Sequence, residues 1–169
     1  MKAALPLLAA LLLATPAIAQ DERVWSLVES ERSVMLIYGT PDSDDLLAGV
    51  TCRRGSNEAS VHLTVEHTIG FFKTDNEIWM DRRGEAEPWE VKIVIAGMRV
   101  EASALPDEMN GGSILRVDTP TDGPLLAAIG NSGRLRAKAF REVVDPPPFR
   151  QADFDRFIQL CKVRGPEGS

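Results

Sequence analysis

Three acids, Asp42, Asp44 and Asp45, lie close together in the stretch LIYGTPDSDDLLAGVTC and raise the question of a metal or catalytic site. A calcium loop of the helix-loop-helix type needs alternating oxygen ligands, a glycine at its sixth position and a bidentate glutamate at its twelfth. Counted from Asp42, those positions hold Leu47 and Arg53, which excludes that loop. Proline and short polar residues also form turns by fixing φ and by bonding their own backbone. The segment therefore predicts the turn of a hairpin.

The two histidines, His62 and His67, are the next candidates for metal binding or acid–base chemistry. In a strand over residues 59–66, an odd offset places two side chains on opposite faces. His62 then shares a polar face with Thr64 and Glu66, and no HExxH motif adds ligands. The sequence accordingly predicts no metal site and no cofactor, and it assigns neither histidine to catalysis.

Nucleophile motifs give no catalytic residue either. The GNSG stretch around Ser132 has the glycine spacing found at a chymotrypsin-like serine, but such a serine needs a base that is held by an acid. No G-x-S-x-G follows a predicted strand, which excludes the α/β-hydrolase turn. Ser132 is therefore interpreted as part of a helix-to-strand turn. Catalysis by two carboxylates that the fold brings together stays open, because the sequence singles out no pair.

A group of aromatic residues and arginines occupies the least regular part of the chain: Phe71, Phe72, Trp79, Arg82, Arg83 and Trp89. Such residues can form an interface hot spot or a sugar-stacking surface. The interpretation that we favour is a hairpin whose tryptophans cover the core.

The stretch RLRAKAFR contains three cations at alternate positions, which a strand would place on one face, with Leu135, Ala137 and Ala139 on the other. The cations are Arg134, Arg136 and Lys138. One interpretation is a solvated face whose charges deter unwanted strand pairing. The functional hypothesis is an anionic-partner face, extended by Arg99 or Arg116, because arginine binds carboxylate or phosphate through two bonds at once.

The elements that must position these residues are mostly strands. Alternation and β-branched residues between turn formers predict strands at 34–38, 46–52, 59–66, 91–96, 98–104, 114–118 and 135–140. The 34–38 strand is apolar on both faces and so predicts a central, doubly covered strand. A short internal helix is expected to begin at Pro124 and to end at Gly130 or Asn131. The predicted fold class is mainly β, an antiparallel β-sandwich or flattened barrel with that internal helix and a C-terminal helix.

The two cysteines, Cys52 and Cys161, permit a single intramolecular pairing. Cys161 continues the helical stripe begun by Phe154, Phe157 and Ile158. Cys52 shares one strand face with the alternate apolar residues Leu46, Ala48 and Val50. Both thiols are therefore expected to face the core. We predict a disulfide that ties the C-terminal helix to the sheet, as is typical of exported proteins.

The N-terminus has the features of a secretory signal peptide: one early lysine, an apolar run over 3–14 and a small-x-small site that ends at Ala19. The run is shorter than the ~20 apolar residues of a spanning helix, so no membrane span is predicted. We expect a signal peptide over 1–19 and a single β-sandwich domain over 20–169. Removal of one lysine and no acid changes the net charge from -6 to -7, which argues against a nucleic-acid partner.

Four stretches resemble a group of small secreted alphaproteobacterial proteins of unknown function: YGTPDSDD, NGGS, GPLLAAIGNSGRLRAKA and the F..FI.LC helix. The last two are more loosely similar to invasion-associated locus B type periplasmic domains. The resemblance implies a β-sandwich in the cell envelope and carries over no active-site residue.

Together these features predict a periplasmic or secreted, non-catalytic binding module for an envelope protein or an anionic envelope component. Two alternatives stay open. One is a small envelope hydrolase that uses carboxylates, and the other is an acidic inhibitor of a cationic envelope enzyme, with PDSDD as its contact loop.

Overall fold

The structure is a computed structural model that describes residues 22–162. The predicted signal peptide, 1–19, lies outside the described residues. The elements are β1 Val24–Glu29, β2 Ser33–Gly39, β3 Leu46–Arg53, β4 Glu58–Val65, β5 Phe72–Lys73, β6 Trp79–Met80, β7 Trp89–Ile95, β8 Met98–Pro106, β9 Ser113–Pro120, α1 Pro124–Ser132, β10 Ala137–Ala139, β11 Glu142–Val144 and α2 Gln151–Cys161.

Nine of these strands form one antiparallel sheet in the order β1-β2-β3-β4-β9-β8-β7-β10-β11, while β5 and β6 form a separate hairpin. The sheet curls around α1 and α2, which cover its inner face. The predicted fold class, mainly β with a short internal and a C-terminal helix, is confirmed. No helix within residues 22–162 has the length and apolar character to span a membrane.

Alternation along the central strands separates an inner, apolar face from an outer, polar one. In β4, Val61 and Leu63 are buried while Ser60, His62 and Thr64 point outward. The same period of two holds in β9, where Leu115 and Val117 are buried. Because a strand places successive side chains on opposite faces, one sheet supplies both the core and an outer surface.

Two details of the predicted strands are wrong. Leu46 was expected to share the inner face with Cys52, but it is 39% exposed, because a bulge in the pairing of β2 with β3 inserts Leu47 and reverses the alternation. The outward side chains of β2, Met35 and Ile37, are only half-buried. β2 is therefore not covered on both sides, although its inner side chains are.

Helix α1 begins at Pro124, as predicted, but continues past Gly130 and Asn131. Its left-handed stop is Gly133, with φ of 63°. The expected stop was wrong because Gly130 serves packing instead: the ring of Phe154 on α2 lies against its Cα.

The predicted disulfide is present and joins Cys52 on β3 to Cys161 at the end of α2, with the two Cα atoms 5.8 Å apart. Phe154 and Phe157 face the core as expected, and Phe157 is fully buried. Backbone hydrogen bonds from Gly55 and Asn57 to the last two carbonyls of α2 reinforce the attachment. The end of α2 is thus fixed to the hairpin between β3 and β4.

Candidate functional site

The outer face of β2, β3, β4 and β9 carries rows of side chains that run across the strands. One row joins Met35, Thr51, Ser60 and Asp118. The next row joins Ile37, Gly49, His62, Arg116 and Ser103. Side chains directly opposite each other on neighbouring strands are ~4.5–5.5 Å apart, so the first row is continuous and the second is interrupted only at Gly49, which has no side chain.

Five side chains in these rows form a polar network. His62 Nε2 is 3.0 Å from the Thr51 hydroxyl. The Asp118 carboxylate accepts hydrogen bonds from the Ser60 hydroxyl and from Arg116 Nε, the latter at 2.9 Å. Burial opposes the Asp118 charge, yet these two hydrogen bonds leave its pKa below the usual value. The carboxylate is therefore ionised at neutral pH and holds Arg116 in place.

The imidazole of His62 is the least hydrated titratable group of this network. Burial lowers its pKa, and the positive charge of Arg116 lowers it further, against a smaller opposing effect of Asp118. His62 is therefore neutral at pH 7, and the Thr51 hydroxyl can donate to it or accept from it, according to the tautomer.

The polar network lies between two depressions that share Thr51 and together form what we call the outer-face groove. The polar end has a volume of about 1020 Å³ and is lined by Arg32, Arg53, Glu58, Arg116 and Asp118, among others. The apolar end has a volume of about 270 Å³ and is lined by Ile37, Leu46, Leu47, Met109 and Ile114, with His62 and Asp44 at its border.

The apolar end exposes several hydrophobic side chains. Met109 is 78% exposed, and Leu46 and Ile114 are 39% and 36% exposed. The loop that carries Met109 is held by Asp107, whose carboxylate accepts hydrogen bonds from the backbone N–H groups of Met109 and Asn110 at 3.1 and 3.0 Å. An ordered loop thus holds an apolar side chain in solvent, and contiguous exposed apolar surface of this kind marks interaction sites.

At the polar end, cations outnumber acids. Arg32, Arg53 and Arg116 line it together with the acids Glu58 and Asp118. Arg116 is paired with Asp118, whereas neither Arg32 nor Arg53 forms a salt bridge with any residue between 22 and 162. Two guanidinium groups therefore remain for an anionic ligand, in a protein whose overall charge is -6.

The acidic stretch lies in the β2–β3 connection and forms the predicted turn. Asp45 accepts hydrogen bonds from Arg23 Nε and from the Thr40 hydroxyl, both at 3.0 Å, and the Arg23 hydrogen bond is the main reason that its pKa is lowered. Ser43 bonds the backbone on both sides of the turn. Within residues 22–162, no group of three or more His, Cys, Asp or Glu side chains is arranged to hold a metal ion.

The predicted anionic-partner face has the expected alternation, since Leu135, Ala137 and Ala139 are buried. Two of its three cations are paired: Arg134 and Arg136 each contact Asp145, at 3.1 and 3.3 Å. Lys138 is exposed and lies in one row with Val94 and Arg99.

Of the two suggested extensions of this face, Arg99 shares the row of Lys138, whereas Arg116 lies opposite His62 in the outer-face groove. Because Asp145 pairs with both Arg134 and Arg136, it reduces the net positive charge that this face presents to an external anion.

The aromatic segment forms the hairpin β5–β6, whose two faces differ. Trp79 packs toward Gly70 and Pro106 and donates a hydrogen bond from Nε1 to Glu108 at 2.8 Å. Trp89 is buried but lies on β7, outside this hairpin, and Trp79 is only half-buried, so the expected single hairpin with both tryptophans over the core is not what forms. On the other face, Phe72 and Ile78 are 47% and 42% exposed.

Two further candidates lie apart from the groove. His67 packs against Phe140 with ring centroids 4.3 Å apart and ring planes tilted by 33°, whereas His62 contacts Thr51. The Ser132 hydroxyl bonds the carbonyls of Ile129 and Arg134, both at 2.8 Å, as expected for a helix-to-strand turn.

Sequence reasoning missed Thr51, Ser60 and Asp118 as members of a site. Their outward positions follow from the alternation of each strand, but only the pairing of β4 with β9 brings His62 beside Arg116. No family model, curated protein or solved structure matches the chain, so a function for the groove must be argued from its geometry and charge.

Proposed function

We propose that the mature chain is a periplasmic or secreted, non-catalytic binding module whose ligand lies in the outer-face groove. One observation carries this proposal. The groove has two arginines without a salt bridge to residues 22–162, Arg32 and Arg53, at one end and an exposed apolar surface at the other. The predicted signal peptide and the resemblance to exported envelope proteins support the location. The disulfide agrees with it, because disulfides persist in oxidising compartments.

The groove favours an amphipathic anion. Its arginines suit a phosphate or carboxylate group through paired hydrogen bonds, and Met109 and Ile114 suit an apolar chain. The length of the groove follows from the strands. Six residues separate the row of Arg53 from the row of Ile114, and because two residues of a strand extend ~6.6 Å, the groove is ~20 Å long. A flexible, single-chain anionic amphiphile fits these dimensions. We therefore identify the anionic envelope component that was expected from the sequence with an amphiphile of this kind.

Calorimetric titration with dodecyl phosphate tests the proposal, with inorganic phosphate and dodecanol as separate probes for each end. We expect saturable binding of dodecyl phosphate and weaker binding of either partial probe. The double change Arg32→Ser and Arg53→Ser should weaken dodecyl phosphate binding about tenfold or more, since a charge-assisted hydrogen bond contributes ~1.5–3 kcal/mol. Met109→Asp should weaken it by placing a charge against the apolar chain.

The matched control is Arg134→Ser with Arg136→Ser, which removes the same two charges from a different surface. Unchanged binding in this control would assign the site to the outer-face groove. Equal loss in both double variants, or no saturable binding by the parent protein, would contradict the proposal. Loss in the control alone would instead support the anionic-partner face of Arg134, Arg136 and Lys138.

A hydrolase is the second candidate, and one contact favours it. The Thr51 hydroxyl lies 3.0 Å from His62 Nε2, the distance expected between a nucleophile and the base that activates it. The predicted use of converging carboxylates has less support, because Asp118 is bound by Arg116 and Ser60. Turnover of p-nitrophenyl acetate that disappears in both Thr51→Val and His62→Gln would establish this activity. An acidic inhibitor would act through Asp42 and Asp44, which are exposed in the β2–β3 turn.

A further inference from the structure

Strand β1 is an open edge of the nine-stranded sheet. Its sequence, VWSLVE, contains no proline, glycine or lysine, and it pairs with β2 along its whole length. Native proteins protect long edge strands with such residues, with bulges or with covering segments, because an unprotected edge is a template for pairing with another chain. β1 has no proline, lysine or bulge, and its one charged residue, Glu29, lies at its C-terminal end and is already bound by Arg54 and Arg156.

The direction of the backbone groups of β1 follows from the turn that connects it to β2. The N–H of Ser30 donates to the carbonyl of Ser33 at 2.9 Å, so these two residues form a hydrogen-bonded pair. Because such pairs alternate along an antiparallel ladder, Val24, Ser26 and Val28 direct their backbone groups toward β2. The N–H and C=O groups of the intervening residues, Trp25, Leu27 and Glu29, point away from the sheet. Within residues 22–162 no backbone hydrogen bond from another segment reaches them.

The edge is open but firmly held. The Trp25 indole donates to the Pro147 carbonyl at 2.6 Å and packs against Tyr38 and Phe149 on the inner face. Glu29 accepts hydrogen bonds from Arg54 and Arg156. A strand fixed in this way loses little conformational freedom when a partner strand is added, and this favours association.

We propose that β1 pairs antiparallel with β1 of a second copy of this chain, with Ser26 on the two-fold axis. Trp25 then lies opposite the partner's Leu27, and Val24 lies opposite the partner's Val28. Arg23 lies opposite the partner's Glu29. Trp25 and the partner's Leu27 exchange backbone hydrogen bonds, since both direct their groups to the open edge.

This register is selected by charge and by apolar contact together. Two-fold pairing centred on Trp25 would place Leu27 opposite the partner's Arg23, and pairing centred on Leu27 would place Trp25 opposite the partner's Glu29. Only the register centred on Ser26 sets opposite charges against each other and apolar side chains against apolar ones. Cross-strand pairs of both kinds stabilise sheets.

The dimer joins two outer faces into one surface. Val24, Ser26 and Val28 lie on that face, and Val28 is directly opposite Met35, which lines the polar end of the groove. The two outer-face grooves therefore lie on the same side of the assembly, on either side of the two-fold axis. The dimer does not depend on the ligand that these grooves bind.

Sedimentation velocity of the mature protein across a concentration series tests the dimer. We expect the mass to rise from one chain to two. Val24 and Val28 are 47% and 39% exposed, so both can be changed without disturbing the core. Val24→Lys with Val28→Lys places like charges opposite each other and should abolish the dimer, whereas the matched control, Val24→Lys with Val28→Glu, places opposite charges there and should keep it.

Cysteine cross-linking tests the register. Opposed residues of a non-hydrogen-bonded pair have Cα atoms ~4.5 Å apart, within the range that a disulfide spans, so Ser26→Cys should form a disulfide-linked dimer on oxidation. In Val24→Cys the two new thiols lie four residues out of register, or ~13 Å apart, and should not cross-link. A parent protein that stays monomeric at every soluble concentration overturns the proposal. Equal cross-linking of the two cysteine variants, or a dimer that survives the double lysine change, also overturns it.

Discussion

The ring of Phe154 on α2 lies against Gly130 on α1 so closely that a Cβ atom at position 130 would stand 2.6 Å from Phe154 Cε1. This contact is where the two helices meet above the inner face of the sheet. It explains why a glycine, which weakens a helix, is tolerated inside α1.

Gly130→Ala should therefore destabilise the protein by about 1–3 kcal/mol, although alanine is the better helix former, because overpacking forces the ring or a helix to move. Asn131→Ala, one residue further on the exposed side of α1, raises helix propensity without a collision and serves as the control. Urea denaturation followed by circular dichroism measures both. A Gly130→Ala variant at least as stable as the parent would show that the helices separate without cost.

The disulfide between Cys52 and Cys161 closes a loop with a sequence separation of 109. Its removal by Cys52→Ala with Cys161→Ala should lower the free energy of unfolding by about 4–5 kcal/mol, the value that the chain-entropy model gives for a loop of this length. Urea unfolding of parent and variant, with and without reductant, measures the difference. Reductant should shift the midpoint of the parent and leave the double variant unchanged. A similar shift in both proteins would assign the effect to something other than this bond.

His62 should make the stability of the protein fall as pH drops from about 7.5 through the ordinary histidine value of ~6.5. Burial lowers its folded-state pKa, so the unfolded chain binds a proton that the folded chain does not as pH falls through the ordinary histidine value of ~6.5. The contribution is therefore fully present above that value and is lost as pH falls toward the folded-state pKa.

His62→Gln should flatten this dependence, which urea midpoints at several pH values in that window would reveal. His67→Gln, the other histidine, leaves the surroundings of His62 intact and should retain the slope of the parent. If His67→Gln is the variant that flattens the profile, the assignment to His62 is wrong.

Asp145 should control how strongly the cationic face attracts anions. Asp145→Asn releases Arg134 and Arg136, which should raise the salt concentration needed to elute the protein from a phosphocellulose column. Asp42→Asn removes the same charge from an exposed turn and is the control. The two variants should differ little in stability, because exposed salt bridges contribute ~0.2–1 kcal/mol. Identical elution of both would indicate that only net charge matters.

The sequence predicted those features that depend on local periodicity. The buried stripe of α2, the alternation of β4 and the inward side chains of Leu135, Ala137 and Ala139 all follow from side-chain spacing, and the two cysteines left one pairing. The start of α1 at Pro124 was also predictable, because proline lacks the N–H that a first helical residue leaves unpaired.

Features that depend on pairing between distant strands could not be predicted from local periodicity. The outer-face groove exists because β4 pairs with β9 in a register that sets His62 against Arg116 and Ser60 against Asp118. Nothing local in either strand specifies that register. The role of Asp145 was hidden for the same reason. β11, with three residues, is too short for a clear period, and β1 has no apolar–polar alternation, because Val24 and Val28 are exposed.

The order of strands in the sheet has a consequence for how the chain folds. β1 to β4 form one meander of consecutive neighbours and β7 to β9 form another, and the two join only where β4 meets β9, with Glu58 opposite Pro120. Contacts so distant in sequence are entropically expensive to form, and topologies dominated by them fold over milliseconds to seconds. α2, which supplies Phe157 to the core, is the last described element of the chain. During synthesis or export the part of the inner face that α2 covers therefore stays exposed after α1 has formed, and a chain that stops at Pro148 lacks Phe154 and Phe157 from its core.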